Sequence, residues 1–304
     1  MTVSHPLFEL SPASPVIVQG ITGRMGRRHA QHMRAYGTNI VGGTSSRPND
    51  DDEFPVFSSV RETVEATDAV ASIAMTPPLD TLAAATEAFE AGVKTVVTIA
   101  EGVPVHDALR LRSIAKSHGG IWLGASTPGM AVPNKFKIGF LPDIALRPGS
   151  FALVSKSGTL SYEVGYRLAS LGLGQSIWIG VGGDAVKGVR FADLLDPLLS
   201  HKPTQAIVLI GEVGGSEEEE FAAAVQARGG SSKPIFALLA GREAKEGVSM
   251  GHAGAITYGN TGTMASKVER LGAAGITVAS SIAGLIEACG DIKSANGGSD
   301  RNGD

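Results

Sequence analysis

Short apolar runs rich in β-branched residues alternate with longer amphipathic segments along the first half of the chain. Apolar runs bounded by glycine, proline or asparagine predict strands, and segments whose apolar residues recur every three or four positions predict helices. The predicted strands occupy residues 14–20, 38–45, 68–75, 93–102 and 120–126. The predicted helices occupy residues 24–37, 59–67, 77–92 and 106–119. Strands that alternate with helices indicate right-handed crossovers and a parallel sheet.

A second series of the same kind begins after the loop at residues 141–150. Its predicted strands occupy residues 151–158, 175–183, 204–215, 233–241 and 276–280. Its predicted helices occupy residues 159–172, 191–201, 216–228, 261–275 and 281–292. The sequence therefore predicts an α/β protein of two doubly wound domains, at residues 1–148 and 149–292. The remaining residues, 293–304, are polar and glycine-rich, which predicts a flexible tail.

Composition narrows the class of protein. Hydrophobic residues make up 43% and charged residues 18% of the 304 positions, which is typical of a globular protein with full hydrophobic cores. A net charge of −4 favours no nucleic-acid partner. The single cysteine, Cys289, excludes an intrachain disulfide, and no metal site is predicted. We expect a cytoplasmic protein without a membrane partner, because neither a secretory signal nor an apolar run of membrane-spanning length is found.

The first candidate site is the glycine-rich stretch at residues 19–28, which follows a strand and opens a helix. Its spacing is G-x-x-G-x-x-G, with Gly20, Gly23 and Gly26, rather than the G-x-G-x-x-G dinucleotide fingerprint. A plain tight turn would explain these glycines. Three arginines at the same helix start favour a bound phosphate, because the helix dipole disfavours cations there unless an anion is present. The three are Arg24, Arg27 and Arg28.

The end of the second predicted strand leaves two ligand classes open for this stretch. An NAD-binding site calls for an acidic residue there, which would bind the ribose hydroxyls. The chain has Arg47 in that neighbourhood, and an arginine suits a phosphate on the ribose. Both NADP and coenzyme A carry such a phosphate.

Four features of the second half stand out, and three of them indicate ligand contacts. Ser157 is a good N-cap for a helix that opens with Gly158, although an ordinary capped helix explains both residues. Glu212 stands at the carboxyl end of a strand, where open α/β sheets bind ligands. The four consecutive glutamates at 217–220 are most simply the acidic first turn of a helix. Glycine and alanine surround His252, so its imidazole can be approached closely.

Taken together, these stretches resemble the α subunit of succinyl-CoA synthetase, and their order along the chain is the same. The matching segments are "GITGRMGRRHAQHMRAYGTNIVGGT", "TIAEGVP", "VSKSGTLSYE", "GVGGD", "IVLIGEVGGSEEEE" and "MGHAGAI". The resemblance covers residues 14–290. It implies a Rossmann-like CoA-binding domain followed by a flavodoxin-like domain, in agreement with the two predicted α/β domains.

The resemblance also implies an activity and the residues that perform it. The family is an acid–thiol ligase, in which the carboxylic acid is activated as an acyl phosphate before the thioester forms. It carries the phosphoryl group on a histidine, which matches His252, and a carboxylate that matches Glu212 orients the imidazole. The helix start that faces the phosphate matches Ser157, Gly158 and Thr159. A tyrosine that contacts the substrate in the family matches Tyr162.

The resemblance places the coenzyme on the first domain. Its implied contacts are Thr22, Gly23, Arg24, Met25, Gly26, Arg47, Ile99, Ala100 and Glu101. The chain departs from the family at residues 124–129, where it reads GASTPG instead of Gly-Pro-Asn-Cys-Pro-Gly. Ser126 and Thr127 therefore lie where the family binds the thiol end of coenzyme A. This change suggests another dicarboxylate, such as malate, in place of succinate, or a weakened activity.

No nucleotide-grasping domain is recognisable in the sequence, so a separate β subunit is expected to bind ATP or GTP with Mg²⁺. Two further hypotheses remain open. One is an NADP-dependent oxidoreductase, which explains the first glycine loop but neither "GHAGAI" nor "SGTLSYE". The other is a non-catalytic CoA-binding paralogue that regulates a partner.

Overall fold

The structure is a computed structural model that describes residues 5–45, 53–241 and 260–296, the last five without their side chains. A six-stranded sheet is formed by the first part of the chain, in the order β3-β2-β1-β4-β5-β6. Its strands are β1 (Val16–Gln19), β2 (Ile40–Thr44), β3 (Val56–Phe57), β4 (Ala71–Ala74), β5 (Thr95–Thr98) and β6 (Ile121–Leu123). All neighbouring strands are parallel, which is the Rossmann arrangement and confirms the predicted parallel sheet.

The α-helices described in this half are α1 (Pro6–Glu9), α2 (Arg24–Tyr36), α3 (Val60–Thr67), α4 (Thr81–Glu90) and α5 (Val105–Ser117). Four of these five helices, α2 to α5, pack on strands of the first sheet. All four residues of β1, β4 and β5 are buried, as expected for parallel strands covered on both faces. This burial explains why the sequence shows these strands as continuous apolar runs. The short elements α1 and β3 were not predicted, because four and two residues are too few to show a period.

The second sheet has seven strands in the order β13-β12-β11-β9-β10-β7-β8. They are β7 (Gly129–Val132), β8 (Phe136–Gly139), β9 (Pro148–Ser155), β10 (Gln175–Gly180), β11 (Ala206–Glu212), β12 (Ile235–Ala240) and β13 (Thr277–Ala279). Strands β9 to β13 are parallel and have the flavodoxin order, in which the first strand lies between the second and the third. The predicted fold class, a Rossmann-like domain followed by a flavodoxin-like one, is therefore confirmed.

Five further helices accompany this sheet. They are α6 (Gly158–Ser170), α7 (Phe191–Ser200), α8 (Glu217–Ala227), α9 (Met264–Ala273) and α10 (Ile282–Asn296). Residues 293–296 of the predicted flexible tail are helical, because they form the last turn of α10. The rest of that tail lies outside the described residues. None of the helices in the described ranges is long and apolar enough to cross a bilayer.

The hairpin of β7 and β8 was not predicted, and it joins the two halves of the molecule. Both strands are antiparallel and extend the second sheet at β10, although they precede the predicted domain boundary at residue 148. Helix α2 of the first half packs on β8, where the backbone N–H of Gly139 donates to the sulfur of Met33 (3.2 Å). The hydroxyl of Thr38 donates to the backbone carbonyl of Lys137 (2.6 Å). Strand pairing thus assigns residues 129–139 to the second sheet.

Each sheet has one point at which the strand order reverses. In the first sheet β1 lies between β2 and β4, and in the second β9 lies between β10 and β11. Open α/β sheets bind ligands beside the carboxyl ends of the strands at such a point. The two switch points therefore locate the candidate site.

Candidate active site

The turn at the first switch point is tight enough to require glycine at two positions. Gly20 has φ +79°, and a Cβ atom there would lie 3.1 Å from the backbone oxygen of Met75 at the end of β4. A Cβ atom on Gly26 would lie 2.1 Å from the backbone oxygen of Gly20. Helix α2 approaches the end of β1 so closely that no side chain fits at Gly26. The predicted tight turn is therefore present at the start of α2.

The start of α2 is open to a ligand. Gly23 is the N-cap residue and supplies no side-chain hydrogen bond, and the first turn carries no acidic residue. Arg24 is exposed, and Met25 is 51% exposed despite its apolar side chain. The hydroxyl of Thr22 forms a short hydrogen bond with that of Ser45, at the end of β2. Backbone N–H groups and a cation therefore face solvent where a phosphate would be stabilised.

The loop that follows β5, called the third loop below, lies at the same edge of the first sheet, where the strands have their carboxyl ends. One strand, β4, separates β5 from β1, so this loop and the glycine loop after β1 are about 10 Å apart. Ile99 and Ala100 are half-buried, and Glu101 is exposed. All implied coenzyme contacts except Arg47, which lies outside the described residues, thus occupy one edge of the first sheet.

The loop at residues 124–129 connects this edge to the second sheet. The backbone N–H of Ser126 donates to the carbonyl of Ala100 (2.9 Å), in the third loop. The buried hydroxyl of Thr127 donates to the carbonyl of Gly180, at the end of β10, and accepts from the backbone N–H of Gly129 (2.9 Å). Thr127 thus has both of its hydrogen-bonding roles filled within the protein, whereas the half-buried Ser126 adopts a left-handed conformation with φ +56°.

The second switch point holds the capped helix that the sequence predicted. The side chain of Ser157 accepts from the backbone N–H of Leu160 (3.3 Å) at the start of α6. Thr159 is exposed, and the first turn has no acidic residue. A Cβ atom on Gly158 would lie 3.5 Å from the hydroxyl of Tyr162 and 3.9 Å from the ring of Pro128. The 124–129 loop therefore comes within contact distance of the start of α6.

Tyr162 is half-buried beside this helix start and contacts the ring of Trp178, with the centroids 6.3 Å apart. Burial raises the pKa of its phenol to about 12, so the hydroxyl stays protonated at neutral pH. It can therefore donate a hydrogen bond to an anion at the start of α6.

Glu212 lies at the same switch point. It is the last residue of β11 and is 8% exposed. In the pairing of β11 with β9, Ile210 is opposite Ser155, which places Glu212 across from the turn into α6. The strand order thus brings Glu212 and Ser157 together, although they are more than fifty residues apart in the sequence. His252 lies outside the described residues.

Sequence reasoning missed a cluster of buried charges beneath this site. Three glutamates of the predicted acidic helix turn are 1–5% exposed, and three lysines from other segments are 0–5% exposed. The cluster consists of Glu217, Glu218, Glu219, Lys156, Lys187 and Lys267. The acidic first turn itself is confirmed at α8. The one local sign of a buried cation was the position of Lys156, separated by a single residue from the apolar run at 151–154.

The ionic state of this charge cluster follows from its geometry. Burial alone would lower the pKa of Lys156, but the carboxylates of Glu218, Glu217 and Glu212 outweigh burial and raise it. Burial alone would raise the pKa of Glu217, but the ammonium groups of Lys187 and Lys156 outweigh it and lower that pKa. Both side chains are therefore charged at neutral pH.

A buried aspartate ties the second half to the third loop of the first sheet. The carboxylate of Asp184, in the loop after β10, accepts the backbone N–H groups of Gly102 and Val103. Burial raises the pKa of this carboxyl group, and the charge of Glu101 raises it further. The two candidate ligand regions are thus joined by direct contacts, of which sequence reasoning found none.

Comparison with known families gives the class of protein. Residues 12–102 match the family described as a CoA binding domain, and residues 154–277 match the family described as CoA-ligase. Each match includes one switch point, with its glycine loop and helix start. A CoA-ligase chain with a CoA-binding first domain is therefore the class that fold and site define.

Individual relatives identify the family within this class. The succinate–CoA ligase [ADP-forming] subunit alpha 2 of Archaeoglobus fulgidus is 42% identical over 265 residues, which are 86% of this chain and 91% of that protein. A subunit of the ADP-forming sulfoacetate–CoA ligase of Bilophila wadsworthia is 41% identical over 272 residues, 88% and 92% of the two chains. The alpha subunit of the malate–CoA ligase of Methylorubrum extorquens is 38% identical over 272 residues, 88% and 91%. The chain belongs to the family of succinate–CoA ligase alpha subunits.

A solved structure supports the fold over almost the whole chain. The ATP citrate lyase of Methanothrix soehngenii, in complex with citrate and coenzyme A, superposes with a TM-score of 0.85 at 21% identity. The match covers 99% of this chain but 53% of that one, so this chain spans about half of the lyase.

Proposed function

We propose that this chain is the alpha subunit of a nucleoside-diphosphate-forming ligase that joins a small dicarboxylic acid to coenzyme A. The observation that carries the proposal is the junction of two sites. The loop at 124–129 bonds to the third loop of the CoA-binding domain at Ala100 and contacts the start of α6 through Pro128. A thiol held by the first domain and a phosphate held at α6 would therefore meet at Ser126.

The first domain has the features that coenzyme A requires. Gly26 allows the backbone to approach a pyrophosphate, and the N–H groups at the start of α2 carry no side-chain cap. Arg24 offers a cation to the same phosphates, and Met25 offers an exposed apolar surface. We place the pantetheine arm along Ile99, Ala100 and Glu101, because these residues lead along the sheet edge to Ser126. When bound, coenzyme A supplies the thiol that becomes the thioester.

Phosphoryl transfer is proposed to take place at the second switch point. A neutral imidazole nitrogen of His252 would accept the γ-phosphoryl group of a nucleoside triphosphate, with release of the diphosphate. Glu212 would bind the proton on the other ring nitrogen and so fix the tautomer that attacks. The N–H groups at Gly158 and Thr159 would stabilise the transferred phosphate.

The substrate acid is proposed to bind between α6 and the 124–129 loop. Its carboxylate oxygen would take the phosphoryl group from His252, and the acyl phosphate would then be converted to the thioester with release of inorganic phosphate. Tyr162 can donate a hydrogen bond there, and Ser126 can bind a polar group of the acid. Succinate or malate is the proposed acid, and the hydroxyl of malate would give Ser126 a hydrogen-bond partner.

The nucleotide is proposed to bind to a partner rather than to this chain. A β subunit with a nucleotide-grasping domain would bind ATP or GTP with Mg²⁺. The relatives named as alpha subunits support the existence of such a partner. The isolated chain is therefore expected to bind coenzyme A but not to complete the reaction.

The proposal is tested by co-expressing the chain with a β subunit of a succinate–CoA ligase. The purified complex is mixed with ATP or GTP, coenzyme A and one acid at a time, and release of inorganic phosphate is measured. Succinate, malate and sulfoacetate are the test acids, and acetate is the control without a second acidic group. We expect phosphate release that requires both coenzyme A and a dicarboxylate.

The two alternative functions predict different results in the same samples. A non-catalytic paralogue would bind coenzyme A but gain no acid-labile, base-stable phosphate when nucleotide is added to the complex. An NADP-dependent oxidoreductase would bind NADPH more tightly than coenzyme A in a calorimetric titration. Either result would overturn the proposed ligase.

A further inference from the structure

The carboxylate of Glu218 contacts three separate elements beneath the second switch point. Its Oε1 atom accepts the backbone N–H of Glu212 (3.0 Å), at the end of β11. Its Oε2 atom accepts from the ammonium group of Lys156 (3.2 Å) and from that of Lys267. Glu218 is 1% exposed, so solvent replaces none of these contacts.

Each of these contacts fixes a part of the proposed phosphoryl-transfer site. Lys156 directly precedes Ser157, the cap of α6, and its backbone N–H donates to the carbonyl of Ile210 (3.0 Å) in β11. Lys267 of α9 also donates to the carbonyl of Gly214 (2.6 Å), two residues after Glu212. The Glu218 carboxylate therefore links the end of β11 to the start of α6, in addition to the backbone bond between Lys156 and Ile210.

The surrounding charges show what the loss of Glu218 would do. Lys156 would keep Glu217 as its nearest ion-pair partner, at 3.4 Å, but Glu217 also pairs with Lys187 at 2.7 Å. Lys267 would keep Glu219 at 3.9 Å. Glu212 would remain as a buried carboxylate beside under-compensated lysines, because its charge acts on Lys156. The Glu212 carboxylate would then be drawn towards these lysines and away from the imidazole that it is proposed to orient.

We propose that Glu218 is a positioning residue for phosphoryl transfer, which holds the Glu212 carboxylate and the start of α6 in their productive relative geometry. It touches neither substrate nor phosphate, and it acts through the Glu212 backbone and Lys156. The inference rests on the proposed function, in which Glu212 orients the phosphorylated imidazole and α6 binds the phosphate.

Two variants and one matched control test this role in the complex with the β subunit. Glu218→Gln removes one charge at nearly constant shape. Glu218→Leu combined with Lys267→Met removes one charge of each sign, and apolar replacement of a buried ion pair is often neutral for stability. Glu220→Gln is the control, because Glu220 belongs to the same helix turn but pairs with Arg190 at the surface (2.6 Å).

The measurements are the rate at which the chain gains acid-labile, base-stable phosphate, the KM for coenzyme A, and the melting temperature. We expect both Glu218 variants to lose about 10- to 100-fold in phosphorylation rate, because small displacements of reacting groups have effects of this size. The KM for coenzyme A should stay within about twofold, and the charge-balanced double variant should melt close to wild type. Glu220→Gln should behave as wild type in all three measurements.

The outcomes separate this inference from the proposed function. If the wild-type complex gains no phosphate, the proposed function fails and the positioning role fails with it. If wild type is phosphorylated and the double variant matches its rate, Glu218 has no positioning role. Loss of folding in both Glu218 variants would likewise overturn the inference, because it would assign Glu218 to stability alone.

Discussion

The two switch points have the same local design but differ in the charges beneath them. Each consists of a strand end, a glycine-containing turn and the start of a helix without acidic residues in its first turn. Among the described residues up to Leu123, which build the first sheet, no lysine, arginine, aspartate or glutamate is buried. The second switch point has seven such buried side chains: Glu212 and the six residues of the charge cluster.

This difference agrees with the two roles proposed for the switch points. Binding a phosphate-containing ligand requires N–H donors and exposed cations, which the first switch point supplies without desolvating any charge. In the proposed mechanism, phosphoryl transfer to His252 depends on the Glu212 carboxylate in a fixed position, and burying a carboxylate is costly unless other charges hold it. We therefore expect substitutions at the second site to affect catalysis and substitutions at the first site to affect binding.

The largest effect is expected from Glu212→Gln, which keeps the shape of the side chain but removes the charge that would fix the imidazole tautomer. Phosphorylation of the chain in the complex should fall about 10²- to 10⁴-fold, the usual range for loss of an acid–base partner. Affinity for coenzyme A, measured by calorimetry, should not change. A tenfold loss of that affinity would contradict the separation between the two sites.

The next effect concerns acid stability and the variant Glu217→Gln. The pKa of Glu217 is lowered in the folded protein, so its contribution to stability is present above the unfolded pKa of 4.5 and is lost as pH falls through the folded value. At pH 7 the variant should lose about 3 kcal/mol, because it leaves Lys187 and Lys156 without a full partner.

The melting temperatures of wild type and Glu217→Gln, measured between pH 7 and pH 3, test the direction of this pH dependence. The gap in melting temperature should narrow as the pH falls below 4.5, since the Glu217 carboxylate of the unfolded chain then takes up a proton while that of the folded protein stays ionised until the pH reaches its lowered pKa. A gap that stays constant over this range would show that Glu217 contributes by packing and not by charge.

A smaller effect is expected at the first switch point from Gly26→Ala. The added methyl group would lie 2.1 Å from the carbonyl oxygen of Gly20, so α2 must move away from β1. We expect a loss of about 2 kcal/mol in stability and about tenfold in coenzyme A affinity, with phosphorylation at saturating nucleotide unchanged. Gly272→Ala is the matched control, because a Cβ atom there meets nothing within 4 Å.

The smallest effect is expected in the loop that joins the sites, from Thr127→Val. The substitution keeps the shape of the side chain but leaves the carbonyl of Gly180 and the N–H of Gly129 without their partner. Unfolding by denaturant should show a loss of about 1 kcal/mol, and Thr127→Ser, which keeps the hydroxyl, should lose less than half of that. Equal losses in the two variants would mean that the methyl group, not the hydrogen bonds, holds the loop.

Parts of the candidate site were predictable because their signals are local. The cap at Ser157 is visible from the residue type before a glycine and an apolar run, and Gly20 and Gly26 are visible from their spacing after a strand. The position of Glu212 at a strand end follows from the apolar run before it. Its nearness to Ser157 required the strand order, which brings β11 beside β9.

Other parts could not be predicted because their causes lie far apart in the chain. The hairpin at 129–139 is short and contains glycine at both ends, and its pairing partner β10 lies some forty residues later. Thr127 was interpreted by the resemblance as a residue beside the thiol, whereas its hydroxyl bonds within the protein to Gly180 and Gly129. The acidic run at 217–220 has the same local pattern whether it is solvated or buried.

The sequence by itself determined the succession of strands and helices, the two glycine loops and the family, because each is recorded in local pattern and residue order. Only the tertiary structure decided which charges are buried and what holds them. Lys156, Glu218 and Lys267 become partners because the end of β9, the first turn of α8 and helix α9 converge at one end of the second sheet. The free energy of a buried charge depends on such neighbours, and neighbours in space are set by the packing of the whole fold.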